Sequence, residues 1–272
     1  MGKVKIITDT ACDLTLDYLK GRGIKVVPMT INFSNHSYED GINLTRDEFY
    51  KLLTTSAKLP TTAQPTPGAF LRAIKEVTDQ DDEAIVITIS TGMSGTYDSA
   101  VMARDQTASL GQGLLVIKAQ EMADAGLEKK EILKELIKIR SRLYSVFTLD
   151  TLEYLEKGGR VSKVQAVVGE ILNVKPILHV NREGQIISRE KVRGRRRAIK
   201  RILDIMAENK RELFKQLITI GHSRCPEEAE NFATEIKRLY GVKDIIIGEL
   251  SSTVGTHTGP GCLVVFFQGE NP

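Results

Sequence analysis

The stretch ISTGMSGTYDS, Ile89 to Ser99, concentrates hydroxyl chemistry in what reads as a strand-to-helix turn. Ser90, Thr91, Ser94 and Thr96 stand there with Gly92 and Gly95, between the apolar run AIVITI and the helical run AVMAR. A hydroxyl donates one hydrogen bond and rotates to suit its partner. Glycine lets backbone N–H groups approach a ligand closely, and a helix N-terminus adds partial positive charge. Two hydroxyls on separate loops could therefore hold both oxygens of a small anion such as a carboxylate. A second hydroxyl loop exists in PTTAQPTP (60–67), at Thr61 and Thr62. The competing reading is that Ser94 and Thr96 only cap the next helix; at this point both stand.

Two further stretches fall where α/β folds build sites, in loops after strands. In TVGTHTGPG (253–261), His257 sits beside Gly255 and Thr256 among glycines and a proline. That open backbone favours a ligand-facing histidine. In TDTACD (8–13), Asp9 and Asp13 could hold a metal, but two carboxylates rarely suffice, and capping and loop bracing is the preferred reading. His222 is expected at the entry to a helix, while His36 and His179 carry no signal. The sequence has no GxxxxGK[ST], HExxH, CxxC or GxSxG, and its best dinucleotide candidate, GQGLLV (111–116), lacks the third glycine. No nucleophile–base pair and no metal-ligand set emerges, so neither catalytic nor metal residues are assigned.

The elements that must position these groups alternate between strand and helix signals. VKIITD, KVVPMTINF and AIVITI read as strands. LTLDYLKGRG, TRDEFYKLLTTS and GAFLRAIKEVT read as helices, the second opening on a Thr45/Glu48 capping-box spacing. A helix is expected from Leu127 to Leu143. Beyond EKGGRVS come a strand pair turning at Arg182–Gly184, a long basic helix, strand QLITIGHS, helix PEEAENFATEIKRLYG, and strands DIIIGEL and LVVFF. The pattern predicts an α/β protein of two domains: a Rossmann-like, parallel-sheet domain over 1–158 and a smaller α/β sandwich over 159–272. The 272 residues supply ample core, and 38 basic against 35 acidic residues argue against a general nucleic-acid binder. Three scattered cysteines, no signal-peptide pattern and no apolar run near the ~20 residues of a membrane span point to the cytoplasm.

Taken in order, ITDTACDL, LPTTAQPTPG, ISTGMSGTYDSA, ASLGQGLLV, DTLEYLEKGGRVS, LNVKPIL, RGRRRAI and GTHTGPG resemble the DegV family of bacterial proteins, essentially along the whole chain. The resemblance implies a protein that binds one long-chain fatty acid and needs no cofactor. It implies the role of acyl-carrying subunit of a bacterial fatty acid kinase, whose partner phosphorylates the bound carboxyl group for phospholipid synthesis. By motif, the carboxylate would meet Thr62 and Ser94, with Arg160 and His257 orienting the network and Thr61, Gly95, Thr96, Gly255 and Thr256 supporting it. The alkyl chain would run into an apolar tunnel of the second domain. Two departures stand out. Between Ala103 and Ser109 the chain has only RDQTA, where family members usually carry a further strand. Ala63 also stands where a Ser often follows the Thr.

Two rivals remain in play. The fold resembles the substrate domain of dihydroxyacetone kinases, so a stand-alone phosphotransferase is the alternative, opposed by the lack of a phosphate loop and of clustered acids. The run KVRGRRRAIKR is basic at seven of eleven positions, which suggests a nucleic-acid or regulatory protein. Without interleaved aromatics it offers no base stacking. Either it is a solvated face, or Arg193, Arg195, Arg196 and Arg197 dock an acidic protein partner, as the family resemblance favours. Exchange of lipid with a membrane surface is compatible with this reading.

Overall fold

The computed structural model describes residues 2–34, 36–78, 82–103, 112–160, 173–209 and 211–270. The chain divides into two compact units, Met1–Arg140 with Ser251–Val254, and Ser141–Leu250 with Gly255–Pro272.

In the first unit, β1 (Val4–Asp9) pairs in parallel with β2 (Lys25–Val27) on one side and β6 (Glu83–Ile87) on the other. The crossover after β1 runs through the short helix α1 (Leu16–Gly21). The apolar run 25–33 breaks at Pro28, and its second half, β3 (Thr30–Phe33), joins a separate antiparallel sheet with β4 (His36–Glu39) and β5 (Thr61–Ala63). The stretch expected as a proline-rich loop at Thr61 and Thr62 is thus partly a strand, with Thr62 opposite Ile31. Helix α2 (Arg46–Thr55) carries the predicted capping box. Helix α3 (Pro67–Val77) starts on Pro67, with the Thr66 hydroxyl accepting the Ala69 N–H. Helices α4 (Thr96–Ala103), α5 (Gln112–Asp124) and α6 (Lys129–Arg140) follow.

Ile6, Ile85 and Ile87 face Leu115, Ile132 and Leu136 on one side of the parallel sheet, while Ile7, Val27 and Val86 face Phe70 and Ala73 on the other. This is the two-sided burial that makes parallel strands read as continuous apolar runs. The stretch 104–110, which includes the RDQTA departure, lies outside the described residues.

The second unit holds a six-stranded sheet, among the described residues, in the order β11 (Asp244–Glu249), β10 (Leu217–His222), β12 (Leu263–Gln268), β7 (Leu143–Thr148), β8 (Val174–Val180) and β9 (Ile186–Arg193). Only β10–β11 is parallel. Helices α8 (Arg195–Glu208) and α9 (Pro226–Tyr240) cover one face, where Ile202, Ile205, Phe232 and Ile236 bury Val146, Ile177, Ile220 and Val265. Residues of the other face line up across the strands as Gly221, Val264, Phe147 and Leu178, the last three also buried.

Two expectations change here. The expected helix to Leu143 ends at Arg140, and Leu143 instead opens a strand that was not expected, β7, paired to β12 and β8. Because β7 belongs to the second sheet, the chain divides after Arg140 rather than at Gly158–Gly159. The second unit remains the smaller of the two, as expected, and among the described residues it holds the widest sheet, which is mostly antiparallel. Among the described residues no helix is long and apolar enough to cross a membrane.

Candidate functional site

The turn after β6 is wound before α4 begins. The Ser90 carbonyl accepts from both Met93 and Ser94 N–H groups at 3.0 Å, and the Ser90 hydroxyl accepts the Gly92 N–H. The Ser94 and Thr96 hydroxyls lie 2.9 Å apart, and Ser94 Oγ also accepts the Thr96 N–H at 3.4 Å. Capping is therefore part of what Ser94 does. Thr96 is fully buried, so its hydroxyl reaches Ser94 and supports it, while Ser94 itself is half-buried. A serine oxygen can accept twice and donate once, so with Thr96 as the donor in their bond, Ser94 keeps its own O–H to donate to a ligand oxygen.

The second hydroxyl loop is brought alongside. Gln64, two residues past Thr62, lays its carboxamide against Gly95 and donates from Nε2 to Ser99 Oγ at 2.9 Å. Thr62 is half-buried on β5, whereas Thr61 is exposed. Thr62, on β5, thus stands two residues before the Gln64 amide that contacts the turn carrying Ser94. Gln64 was not singled out from the sequence. The cue was there in part, because a long amide two residues after the threonine can cross to a glycine that has no Cβ.

The acids of TDTACD brace the fold. Asp9 accepts the Ala11 and Ile89 N–H groups at 2.9 and 2.8 Å, tying β1 to the residue just past β6. Asp13 accepts the Ser251 N–H at 2.8 Å, and Asp40 accepts from Ser252, Thr253 and the Thr253 hydroxyl. These bonds explain why Ser251–Val254 is counted with the first unit. Burial, outweighing the bonds from Gln112 and Ile89, pushes the Asp9 carboxyl up to about 6. Burial likewise takes Asp13 up to about 6 against the bonds from Ser251. Among the described residues, no group of three acids, histidines or cysteines gathers to hold a metal.

Of GQGLLV, residue 111 lies outside the described residues, and 112–116 open α5: a Cβ on Gly113 would lie 2.6 Å from the Cys12 carbonyl oxygen, so that glycine serves helix packing. A cavity lined by Ile85, Ile87, Leu115, Leu133, Leu136 and Ile137, with Arg140 among them, has a volume of about 20 Å³. That is room for a water molecule and far too little for an alkyl chain.

In the second unit, the segment expected as an open loop around His257 ends the helix α10 (Ser252–Thr258), in which Gly255 and Thr256 are buried. Its glycines make room for close packing. A Cβ on Gly259 or Gly261 would strike the Tyr154 ring or the Asp150 carboxylate, and both glycines take positive φ. Helix α7 (Glu153–Lys157) ends on Gly158, against which the His257 ring rests. Arg160 donates from Nη1 to the Gly158 carbonyl at 2.6 Å. Burial first, and the Arg160 charge second, lower His257 to about 4, so it is a neutral imidazole at neutral pH. His257, Gly158 and Arg160 are thus brought together as a unit. His222 ends β10, buried, ahead of α9.

The basic run separates into two populations. Arg195 lies partly buried and binds Glu228 through Nε and Nη2, at 3.1 and 2.7 Å, with Asp150 3.9 Å from Nη1. Burial alone would lower its pKa, but the Glu228 bonds hold it above the ordinary value. Arg195 is therefore a structural residue and leaves the docking set. Arg193, Arg196 and Arg197 are exposed.

Comparison with known proteins gives a consistent result. The DegV family profile matches residues 3–270. A DegV domain-containing protein of Caldanaerobacter subterraneus subsp. tengcongensis is 36% identical over 280 residues, covering 98% of this chain and 99% of its own. A DegV family protein from Thermus thermophilus, described for its fatty acid binding, superposes with a TM-score of 0.89 at 29% identity, over 98% of this chain and 100% of its own. The fatty acid kinase (Fak) B3 protein of Streptococcus pneumoniae, solved with linoleic acid, shares the fold with a TM-score of 0.84 at 21% identity, over 98% of this chain and 100% of its own.

Proposed function

The chain belongs to the DegV family, and from that membership we propose that it binds one long-chain fatty acid and presents the carboxyl group to a separate fatty acid kinase. The observation that carries the reading is the pair of hydroxyl loops: Ser94 at the head of α4, supported by Thr96, with the Thr62 loop clasped alongside through Gln64. Thr62 and Ser94 hold the carboxylate oxygens. Two hydroxyls give such a seat the means to hold a carboxylate by hydrogen bonds without activating it. The chemistry then has to come from a partner, and the chain is a substrate carrier requiring no cofactor of its own.

Arg160 and neutral His257 are proposed to orient the head group, with Arg160 supplying the positive charge. The alkyl chain is assigned to an apolar tunnel of the second unit, where Phe147, Leu178 and Val264 form a row on the sheet face opposite α8 and α9. At about 0.8 kcal/mol per methylene, a chain of roughly fourteen carbons has ample drive to leave water, so the head group need only be held in place. Arg193, Arg196 and Arg197 are proposed as the docking cations for an acidic partner, in a cytoplasmic setting.

Organic extraction of the purified protein, followed by mass spectrometry, tests the reading. One equivalent of a long-chain fatty acid per chain is expected. No stoichiometric lipid, together with no binding of added oleate or palmitate, would refute it. Acyl phosphate formed from ATP and Mg²⁺ by this protein alone would favour a stand-alone phosphotransferase instead.

A further inference from the structure

Two hydroxyls on separate loops make a defined seat only if something fixes the loops to each other. Thr62 lies on β5, whose partner is β3, while Ser94 follows β6, whose partner is β1. The two loops hang from different sheets, so strand pairing does not set their separation. Side-chain contact must do so.

The geometry points to Gln64 as the positioning residue of the seat: its carboxamide fastens the β5–α3 loop to the head of α4 and so fixes Thr62 relative to Ser94. This rests on the carboxylate role proposed for those hydroxyls. Three observations carry it. Gln64 Nε2 donates to Ser99 Oγ at 2.9 Å, and Ser99 is buried in the first turns of α4. The amide carbon and nitrogen of Gln64 lie 3.1 Å from where a Cβ on Gly95 would stand, with Oε1 closer still. Gly95 is not among the glycines with positive φ, so its lack of a side chain answers to the amide and not to backbone strain. Ala63, meanwhile, offers no polar group to hold the loop. Exposed apart from its amide contacts, Gln64 contributes little to the core, which separates a positioning role from a folding one.

The test uses delipidated full-length protein, with oleate and oleyl alcohol as probes that share one tail and differ at the head. Wild type is expected to prefer oleate. Gln64→Ala should weaken oleate binding by about ten-fold, as for loss of a well-placed bond to a charged group, while oleyl alcohol changes by less than about two-fold. Gly95→Ala should reproduce the oleate defect, yet add little in the Gln64→Ala background, where the new methyl group has room. Equal losses for both probes would overturn the inference, because Gln64 would then be supporting the fold or the tail. Unchanged oleate binding in Gln64→Ala, with a clear defect in Ser94→Ala, would also overturn it while leaving the seat intact. A wild type with no preference for oleate over the alcohol would remove the seat and the inference together.

Discussion

Gly158→Ala is the sharpest probe of the His257 environment, because the residue is constrained by its neighbour and not by its own backbone. Gly158 has φ −77° and ψ −7°, which alanine adopts freely. Any cost must therefore come from space. A Cβ there would meet the Tyr154 carbonyl oxygen at 2.9 Å and His257 Cε1 at 3.1 Å, with His257 Nδ1 nearer still. Ordinary contacts begin near 3.4 Å, so the imidazole has to move by about an ångström or the α7 end has to shift. Overpacking of this kind costs about 1–3 kcal/mol. His257→Ala should relieve most of that cost, leaving only the tenths of an ångström demanded by the Tyr154 carbonyl. A double-mutant cycle by urea denaturation at pH 7 is expected to give a coupling of about 1–2 kcal/mol, the double variant being more stable than the sum of the singles predicts. Additive effects within about 0.3 kcal/mol would show that His257 does not rest on Gly158, and its neutral, desolvated state would lose its structural basis.

Three further outcomes are expected of the same protein. Ser94→Ala should keep the fold but weaken fatty acid capture, by roughly 1.5–3 kcal/mol for one bond to a charged group, and kinase-dependent turnover should fall further; unchanged turnover in both Ser94→Ala and Thr62→Ala would refute the seat. Arg195→Ser should destabilise the protein by about 1–3 kcal/mol by leaving Glu228 unpaired, whereas Arg196→Ser with Arg197→Ser should leave the melting temperature nearly unchanged and slow coupling to the kinase in a salt-dependent way; the reverse pattern would refute the division of the basic run. Asp9 and Asp13, raised from 3.8 to about 6, bind more protons folded than unfolded, so their contribution falls as pH rises through 4 to 6. His257, lowered from 6.5 to about 4, acts oppositely, its contribution being lost as pH falls through the same range. His257→Gln should therefore steepen the loss of stability with rising pH near pH 5 by about 1 kcal/mol per pH unit, measured by urea denaturation across pH 4.5–7; an unchanged slope would mean that His257 is not desolvated.

The alternation of strand and helix was legible because each element carries its own period and punctuation. VKIITD and AIVITI read as buried parallel strands, and Thr45 with Glu48 announced α2 as observed. The failures share a cause. The helix was carried on to Leu143, and strand β7 went unassigned, because Leu136, Ile139 and Leu143 keep helical spacing across the Ser141–Arg142 turn. Only the long-range pairing of β7 with β12 marks it as a strand. That pairing also moves the domain boundary, which no local signal could supply.

The two hydroxyl clusters were legible as local features, whereas the glycines were misread. Gly255, Gly259 and Gly261 look like an open, ligand-facing backbone when read as composition. In three dimensions, Gly259 and Gly261 admit Tyr154 and Asp150, and Gly158 admits His257. Likewise Gly113 admits the Cys12 carbonyl and Gly95 the Gln64 amide. A glycine in sequence reports that something comes close, and it does not say whether that something is a ligand or another part of the same chain. Here, at each of these positions the close neighbour is protein. The same packing holds Ser94 beside Gly95, and His257 with Arg160 around Gly158. Rigid close packing of this kind keeps a side chain in one geometry, which is what the carboxylate seat proposed for Ser94 requires.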